Sequence, residues 1–355
     1  MLLVDTKNSL DNCLQNLRNE RIIAVDTEFI REKLDKPLLC LIQIAALQDV
    51  FLIDPTAVDI SPLNNIFNDE NVKKVFHAAR QDLEILSLHG INTKNFYDTQ
   101  LYESILSEND NISYQSLILR YLGKKLKKNY SMSDWTKRPL SKKQLIYSSN
   151  DVFYLREAYQ KQFHKLTELN RENWLNDELL RMTQKKEEED NFASTLNKNN
   201  REIYNQLQKW RTDKAAEKNI SPTSIVKDEI LKTICQKGTD FILNLKNSRN
   251  TKDENYRQFL FFAEKISDGL EIQEKSEGKN PILDLLKTLL YFKSQQHSVA
   301  PSIVATVKDL NKLIGGENNL KCLSGWRNEI FGRDAILLLN GKISLRINKS
   351  QVIVE

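Results

Sequence analysis

Cysteine and histidine are scarce in this chain of 355 residues, which contains four of each. The cysteines, Cys13, Cys40, Cys235 and Cys322, are far apart and form no C-x-x-C pair, so they indicate neither a disulfide framework nor structural zinc. The sequence also contains no H-E-x-x-H motif. The sequence therefore carries neither of these signatures of zinc binding.

Long apolar runs are absent as well. No run approaches the roughly 18 residues of a membrane-spanning helix, and the start of the chain alternates polar and apolar residues without a signal-peptide core. We therefore expect a cytoplasmic protein that does not enter the membrane. A hydrophobic content of 40% is enough for ordinary cores, and the length predicts two or three domains.

Two carboxylates follow an apolar run at residues 21–25, which is typical of a buried strand. They are Asp26 and Glu28, and because side chains two positions apart on a strand share a face, they should project together from the strand end. Two like charges this close repel unless a cation lies between them. The alternative is a solvated strand end with two unrelated acids, which a lone D-x-E pair does not exclude.

Two further acidic positions lie on predicted helices. Asp82 falls in the first turn of a helix that follows another apolar run. Asp151 lies inside a helix predicted to begin near Ser141, because Ser141 and Gln144 have the spacing of a capping box. Tyr147 stands four residues before Asp151, so the two side chains share a face of that helix.

A D-x-E pair followed by two more aspartates resembles the DEDD exonuclease superfamily. The chain is similar to its tyrosine subtype, because Tyr147 is present and Ile146 stands where the histidine subtype has histidine. Within the superfamily it resembles the ribonuclease D family. The resemblance covers residues 1 to about 170. Its most specific motif is the W-x-x-R-P-L stretch. The matching segments are residues 25–29, 41–44, 76–84, 133–141 and 147–155.

The resemblance implies two divalent metal ions, Mg²⁺ or Mn²⁺, and a role for each site residue. In such sites one ion lowers the pKa of a bound water, and both neutralise the charge of the transition state. Asp26, Glu28 and Asp151 would hold the ion that activates water. Asp26 would also bridge to the second ion, which Asp82 would support through water. Tyr147 would orient the attacking water, because its ordinary pKa of about 10 makes it a poor base.

Charge is unevenly distributed along the chain. Residues 198–355 contain 26 Lys and Arg against 19 Asp and Glu, a net charge of +7, whereas residues 1–197 have a net charge of −3. An acidic catalytic half and a basic helical half suit a polyanionic substrate. Within the first half, a basic stretch with interspersed aromatic residues leads into the predicted catalytic helix. Such a stretch is often only a solvated face, but beside this motif it predicts contacts with nucleic acid, for which the candidates are Lys124, Lys125, Lys127, Lys128, Trp135 and Arg138. Phe29, directly after Glu28, is a separate candidate as a stacking platform for a base, and a core position is the alternative.

The apolar pattern predicts an α/β first domain over residues 1–170, and the resemblance implies a ribonuclease-H-like exonuclease fold. Strands are predicted near 21–27, 38–47, 49–53 and 72–77. The first three follow one another closely, which suggests an antiparallel meander joined to parallel βα units. Helices are predicted near 8–19, 61–69, 80–89, 98–107, 113–122 and 141–166.

Beyond residue 170 the pattern becomes all-helical. Residues 171–200 are predicted to form a connecting helix and a charged, Asn-rich linker. Residues 201–275 resemble the helicase-and-RNase-D C-terminal (HRDC) domain. Residues 280–355 resemble a second, degenerate copy, for which a structural cap is an equally good interpretation. Near the chain end, Asn340 and Gly341 stand between apolar runs, which predicts a β-hairpin.

The resemblance implies a 3′→5′ exoribonuclease that hydrolyses single-stranded RNA 3′ tails to 5′-mononucleotides. By the resemblance it would be a monomer that acts in tRNA 3′ maturation, with tRNA precursors as its partners. A DNA 3′→5′ exonuclease is the first alternative, because the same four carboxylates serve both substrates. The second is an RNA-binding protein with an idle nuclease fold, against which the complete set of carboxylates and Tyr147 argues.

Overall fold

The chain forms two compact units. One comprises Met1–Glu28, Leu41–Met182 and Gly278–Glu355, and the other comprises Phe29–Cys40 and Thr183–Glu277. In this computed structural model, the residues described are 1–30, 37–126, 133–184, 192–193, 196–218, 220, 222–246, 253–267, 270, 280–349 and 351–355. The charged part of the predicted linker, residues 185–190, lies outside them.

A mixed sheet forms the centre of the nuclease region. Among the described residues its six strands are β1 (Leu2–Val4), β2 (Ile22–Ile30), β3 (Leu38–Ala45), β4 (Val50–Ile53), β5 (Lys73–Phe76) and β6 (Phe96–Asp98). Their order across the sheet is β1-β4-β3-β2-β5-β6. β3 is antiparallel to β4, whereas β1 with β4, β2 with β5, and β5 with β6 are parallel. The predicted strands and their mixed arrangement are confirmed, and β1 and β6 are additional.

The apolar runs of the sequence correspond to the middle of this sheet. β3 is buried from Leu39 to Ala45, and every residue of β4 is buried. Strands covered on both faces need near-continuous apolar sequence, which is why these runs show little alternation. The flanking helices are α1 (Lys7–Leu17), α2 (Asn64–Phe67), α3 (Arg80–Leu88), α4 (Thr99–Leu106), α5 (Tyr114–Leu122), α6 (Lys142–Phe153), α7 (Leu155–Glu168) and α8 (Glu172–Gln184).

Helix α6 begins where the sequence predicts. Ser141 Oγ accepts a hydrogen bond from Gln144 N at 3.3 Å, and Gln144 Oε1 accepts one from Ser141 N at 3.0 Å. The single helix predicted over 141–166 is instead two helices that meet at Tyr154. The break separates two packing faces, because α6 packs on β4 and α7 packs on β5.

The second unit contains a helical bundle with its own core. Its helices are α9 (Lys198–Lys218), α10 (Pro222–Ile225), α11 (Asp228–Lys237), α12 (Thr239–Lys246) and α13 (Glu254–Ile266). Leu207, Leu231, Ile242 and Phe259 are fully buried in this core, and Trp210 packs against it. The all-helical pattern predicted beyond residue 170 is confirmed for the described residues of this bundle.

The C-terminal segment belongs to the first unit. Its elements are α14 (Pro281–His297), α15 (Pro301–Val304), α16 (Val307–Ile314), α17 (Gly325–Arg327), α18 (Arg333–Leu339) and the hairpin strands β7 (Leu345–Asn348) and β8 (Gln351–Val354). A π-helical turn, Asn328–Gly332, joins α17 to α18. Among the helices that the structure describes, none is long and apolar enough to cross a membrane.

The hairpin predicted at Asn340 and Gly341 is wrong in position. These two residues end α18: Asn340 N donates to Ile336 O at 3.1 Å, and Gly341 has a φ of +67°. An Asn-Gly pair supplies left-handed backbone to a helix C-terminus as readily as to a hairpin turn. The hairpin itself is formed farther on, by β7 and β8.

Candidate active site

The middle and second half of β2 and the last turn of α6 bring three carboxylates together. One oxygen from each of Asp26, Glu28 and Asp151 lies within 4.8 Å of the other two. Asp26 and Glu28 share a face of the strand as the period-two argument predicts, and α6 supplies Asp151 from the neighbouring layer. Three carboxylates at this spacing form an acidic cluster that can coordinate a divalent cation through oxygen atoms.

Burial and mutual repulsion dominate the electrostatics of this cluster. Burial, followed by the charge of Asp151, raises the pKa of Asp26 to about 8. Burial and the neighbouring carboxylates raise the pKa of Glu28 to about 10. Burial raises the pKa of Asp151 to about 7, against an opposing hydrogen bond from Tyr147. Burial and nearby negative charge disfavour the ionised carboxylates, and a divalent cation would favour them, so the donor set fits such ions.

The fourth acidic residue, Asp82, lies in the first turn of α3 as predicted and is buried. Its Oδ1 accepts a hydrogen bond from Thr27 Oγ1 at 2.5 Å. Burial, then the charge of Asp26, raises the pKa of Asp82, while the Thr27 bond opposes the rise. Asp82 is thus electrostatically linked to the cluster through Asp26.

The turn that starts α3 depends on a residue that the sequence analysis did not single out. Asp98 Oδ1 accepts from Ala78 N at 2.9 Å, and its Oδ2 accepts from Ala79 N at 3.0 Å. Asp98 also caps α4 by accepting from Gln100 N at 2.8 Å. One buried carboxylate therefore holds both the turn before Asp82 and the start of the next helix. An aspartate directly before a predicted helix is an N-cap signal, but nothing in the sequence indicates its bonds to the earlier turn.

Tyr147 lies one helical turn before Asp151 on α6, and its hydroxyl is hydrogen-bonded to the Asp151 carboxylate. Burial, followed by the charges of Asp151 and Glu28, raises the pKa of Tyr147. The phenol is therefore protonated at neutral pH. This state suits a group that orients a water molecule by hydrogen bonding rather than one that removes its proton.

A second tyrosine, which the sequence analysis missed, supports the same turn of α6. Tyr114 Oη donates to Asn150 O at 2.7 Å. Burial and the charges of Asp151 and Asp26 raise the pKa of Tyr114. Its ring meets the ring of His77 edge to face, with centroids 5.7 Å apart. No local spacing links Tyr114 to α6, so the sequence carried no signal for this contact.

The predicted nucleic-acid contacts have diverse environments. Phe29 is half-buried in β2, directly after Glu28. Lys124 and Lys125 are exposed, and Lys124 Nζ lies 4.4 Å from the centroid of the Tyr154 ring. The two other lysines predicted to contact RNA, Lys127 and Lys128, lie outside the described residues.

Trp135 and Arg138 are committed to protein partners. Trp135 is 2% exposed, and its ring centroid is 6.2 Å from that of Tyr147. The Arg138 guanidinium forms a bidentate ion pair with Asp54, in which Nη2 donates to Oδ1 at 2.8 Å and Nε donates to Oδ2. The structure therefore gives these two side chains packing and bonding roles, although the sequence suggested contacts with RNA.

Comparisons with known proteins agree with this geometry. The 3′-5′ exonuclease family model matches residues 1–167, and the HRDC domain model matches residues 200–259. Ribonuclease D of Bartonella henselae is 33% identical over 99% of this chain and 93% of its own length. Ribonuclease D of a Jannaschia species is 34% identical, over 94% of each chain.

The fold has a solved counterpart of nearly the same length. The crystal structure of Escherichia coli RNase D covers 96% of this chain and 98% of its own, with a TM-score of 0.74 and 24% sequence identity. The identity and coverage of the Bartonella protein extend the likeness from the fold to the sequence of the whole chain. The chain thus belongs to the ribonuclease D family, a family of 3′→5′ exoribonucleases.

Proposed function

We propose that this protein hydrolyses single-stranded RNA tails from their 3′ ends, releasing 5′-mononucleotides with the help of two divalent metal ions. The observation that carries the proposal is the cluster of Asp26, Glu28 and Asp151, whose oxygens lie within 4.8 Å of one another. Asp82 completes the acidic set through its electrostatic link with Asp26. These four residues would hold the ions, which when bound would supply a nucleophile at neutral pH and neutralise charge at the phosphorus.

The remaining steps belong to the side chains of this protein. The Tyr147 hydroxyl would hold the attacking water in line with the phosphorus, because it is protonated and anchored on Asp151. Asp82 is itself held by Thr27, which would keep its carboxylate oriented toward Asp26. Because these groups are fixed before substrate arrives, little reorganisation is needed at the moment of reaction.

We further propose that tRNA precursors are among the substrates and that the protein acts as a monomer in the cytoplasm. The curated relatives carry the name ribonuclease D, and the E. coli protein is described as an exoribonuclease involved in structured RNA processing. The net charge of +7 in residues 198–355 supports binding of a structured polyanion beyond the tail being cleaved. Exposed Lys124 and Lys125 would contact phosphates of the tail.

The test is a side-by-side digestion of RNA and DNA duplexes with matched single-stranded 3′ overhangs, in Mg²⁺ and in Mn²⁺. We expect the RNA overhang to be shortened to the duplex and the DNA overhang to be degraded more slowly in both metals. A DNA overhang removed as fast as RNA would favour the DNA exonuclease. Tight RNA binding without hydrolysis in either metal would favour an RNA-binding protein with an idle site.

A titration of the metal-free protein with Mn²⁺ by calorimetry tests the number of ions separately. We expect two ions per chain in the wild-type protein in the presence of a non-hydrolysable RNA end. Asp82→Asn should weaken the second binding event and spare the first. A single binding event in the wild-type protein would contradict the two-ion proposal without affecting the substrate assignment.

A further inference from the structure

Residues 133–141, the described segment directly before α6, are bonded to the residue that follows β4 through Arg138. Asp54, the residue after β4, is 5% exposed, and both of its carboxylate oxygens accept bonds from Arg138. Thr56 adds two bonds to the same carboxylate, from its N at 3.0 Å and its Oγ1 at 2.6 Å. Although burial alone would raise the pKa of Asp54, the bonds from Arg138 and Thr56 hold it below its ordinary value. The pair is therefore ionised at neutral pH.

The third nitrogen of Arg138 fixes the backbone of this segment. Nη1 donates to Trp135 O at 2.8 Å and to Lys137 O at 3.0 Å. All three guanidinium nitrogens thus bond to protein acceptors, and Nε and Nη2, which form one edge of the planar fork, pair with Asp54. The planar guanidinium therefore fixes the backbone at Trp135 and Lys137 relative to Asp54.

Trp135 links Arg138 to Tyr147. Its carbonyl is held by Arg138, its side chain is buried, and its ring packs against the Tyr147 ring at an interplanar angle of 38°. The segment is also fixed to the first turn of α6, because Gln144 Nε2 donates to Asp134 O at 3.2 Å. Tyr147 therefore lies on a helix whose start is bonded to the segment, with an aromatic ring of that segment against its own.

We propose that Arg138, Asp54 and Trp135 are positioning residues that fix the Tyr147 ring, and with it the hydroxyl that orients the attacking water. The inference rests on the proposed role of Tyr147. Trp135 and Arg138 of the W-x-x-R-P-L stretch would then affect catalysis through Tyr147 and would not contact RNA. A displacement of the hydroxyl by about 1 Å is enough to lower a rate on the order of 10²-fold.

A double-mutant cycle between Arg138 and Tyr147 tests the proposal, with single-turnover rates measured at saturating RNA. Arg138→Met should lower the rate about 10- to 100-fold when Tyr147 is intact. In a Tyr147→Phe background the same change should lower the rate less than about twofold, because the hydroxyl that it positions is already missing. Equal losses in the two backgrounds would overturn the proposal.

Three variants distinguish positioning from an RNA contact. Arg138→Lys keeps the charge but loses the planar fork, so it should lose nearly as much rate as Arg138→Met. Lys137→Met removes a neighbouring charge from a side chain that is 80% exposed, and its saturated rate should equal that of the wild type. Trp135→Phe keeps an aromatic ring against Tyr147 and should keep most of the rate that Trp135→Leu loses.

Binding and stability measurements complete the test. Positioning predicts an unchanged RNA Kd and an unchanged salt dependence of Kd for Arg138→Met. A raised Kd, with a salt slope shallower by about 0.7 per lost contact with a single strand, would assign Arg138 to RNA and overturn the proposal. A lower Tm with an unchanged rate per folded molecule would also overturn it, since a purely structural role predicts that result.

The same assay separates failure of this inference from failure of the proposed function. Asp26→Asn reports on the metal cluster alone, so a fully active Asp26→Asn protein would refute the proposed function. If Asp26→Asn is inactive and Tyr147→Phe is as fast as the wild type, the function stands and the positioning inference is overturned.

Discussion

At the scale of single residues, the site is an assembly of like charges that the fold holds together at a cost. Burial is the largest cause of the raised pKa of Asp26, Glu28 and Asp151, and the charge of Asp151 adds to the shifts of Asp26 and Glu28. A folded protein retains such repulsion where function requires it. Removing one charge should therefore have opposite effects on activity and on the stability of the metal-free protein.

Asp151→Asn should abolish most turnover and stabilise the metal-free fold. We expect the rate to fall on the order of 10²-fold or more, because a ligand charge is lost from an electrostatic site. The Tm without metal should rise at pH 8, because the charge that raises the pKa of Asp26 is gone. The control is Glu157→Gln, an exposed carboxylate on α7, which should change neither quantity. A lower Tm for Asp151→Asn would contradict this account of the cluster.

The stability of the metal-free protein should fall as pH rises from about 5 to about 8. The folded pKa values of Asp26 and Asp151, about 8 and about 7, exceed the ordinary value of 3.8, so the folded state binds more protons in this interval. When the folded state holds the extra protons, raising the pH favours unfolding. Mg²⁺ should raise Tm more at pH 8 than at pH 5.5, because it binds the deprotonated carboxylates.

Thermal melts of the full chain in EDTA and in Mg²⁺, across this pH range, check the prediction. Asp26→Asn and Asp151→Asn should each flatten the EDTA profile. An EDTA profile that rises toward pH 8, or a Mg²⁺ effect independent of pH, would show that the cluster does not govern stability in this range.

Some residues of the site have partners close in sequence, and others have partners far away in sequence. Asp26 with Glu28, and Tyr147 with Asp151, are related by the periods of a strand and a helix, so spacing alone predicts that each pair shares a face. Arg138 lies 84 positions from its partner Asp54. No local period encodes such a pair, and only the packing of residues 133–141 against the sheet reveals it.

At the scale of elements, the turn between β5 and α3 controls where Asp82 lies. Ala78 adopts a φ of 60°, which is unfavourable for a residue with a Cβ, and two amides of the turn bond to Asp98. The helix that carries Asp82 thus starts from a turn held by a side chain of the next strand, β6. The sequence analysis did not predict β6, whose three residues are too few for a clear periodic signal.

Asp98→Asn should lower both stability and rate, because one carboxylate oxygen that accepts a backbone bond becomes a donor group. We expect a loss of about 1–3 kcal/mol of unfolding free energy, the cost of leaving a buried donor unpaired. The rate per folded molecule should also fall as the start of α3 shifts. Asp59→Asn is the matched control, since that carboxylate bonds an amide in an exposed turn and should affect neither quantity. An unchanged rate for Asp98→Asn would separate the turn from catalysis.

Two of the differences between the predicted and the observed elements have the same physical origin. The break between α6 and α7 at Tyr154 follows from each helix packing on a different strand, a tertiary requirement that helical periodicity does not carry. Asn340 and Gly341 signal left-handed backbone, which both a helix end and a hairpin turn require. In both cases the sequence indicated the local backbone conformation, whereas tertiary packing determined where one element ended and the next began.

At the scale of the whole molecule, the C-terminal helices are joined to the nuclease by a buried ion pair. Glu178 on α8 pairs with Arg327, which is 1% exposed, and Lys321 Nζ lies 3.4 Å from the same carboxylate. Trp174 stacks on Trp326 with ring centroids 4.4 Å apart. Residues 280–355 are thus built into the catalytic unit, which supports the interpretation of a structural cap.

Arg171 adds a second tie between these helices and the nuclease. Its guanidinium donates to Ile105 O at 2.7 Å and to His297 O at 2.5 Å, and it lies 4.8 Å from the Trp174 ring centroid. Ala300 N also donates to Ser104 O at 2.8 Å. The bonds from Arg171 to His297 and from Ala300 to Ser104 join positions that are 126 and 196 residues apart. Sequence analysis could propose a helical C-terminal domain, but it could not predict this docking.

Glu178→Leu should destabilise the protein strongly, because it leaves Arg327 buried without its partner. We expect a loss of about 3–5 kcal/mol, measured by chemical denaturation of the full chain. Glu178→Leu with Arg327→Met should recover most of that loss, since no unpaired charge remains buried. Lys94→Met, which breaks a pair with 52% and 73% of its side chains exposed, should cost less than about 1 kcal/mol. A double variant no more stable than Glu178→Leu would refute the role assigned to this pair.

As proposed above, this protein removes nucleotides from RNA 3′ ends at the cluster of Asp26, Glu28 and Asp151. The most direct measurement follows both ends of one single-stranded RNA, labelled at the 5′ end in one reaction and at the 3′ end in another, with Mg²⁺. The wild-type protein should shorten the 5′-labelled strand one nucleotide at a time and release the 3′ label as a mononucleotide from the first time point. Asp26→Asn should slow both processes on the order of 10²-fold or more. Internal fragments, or an Asp26→Asn protein as fast as the wild type, would contradict the account.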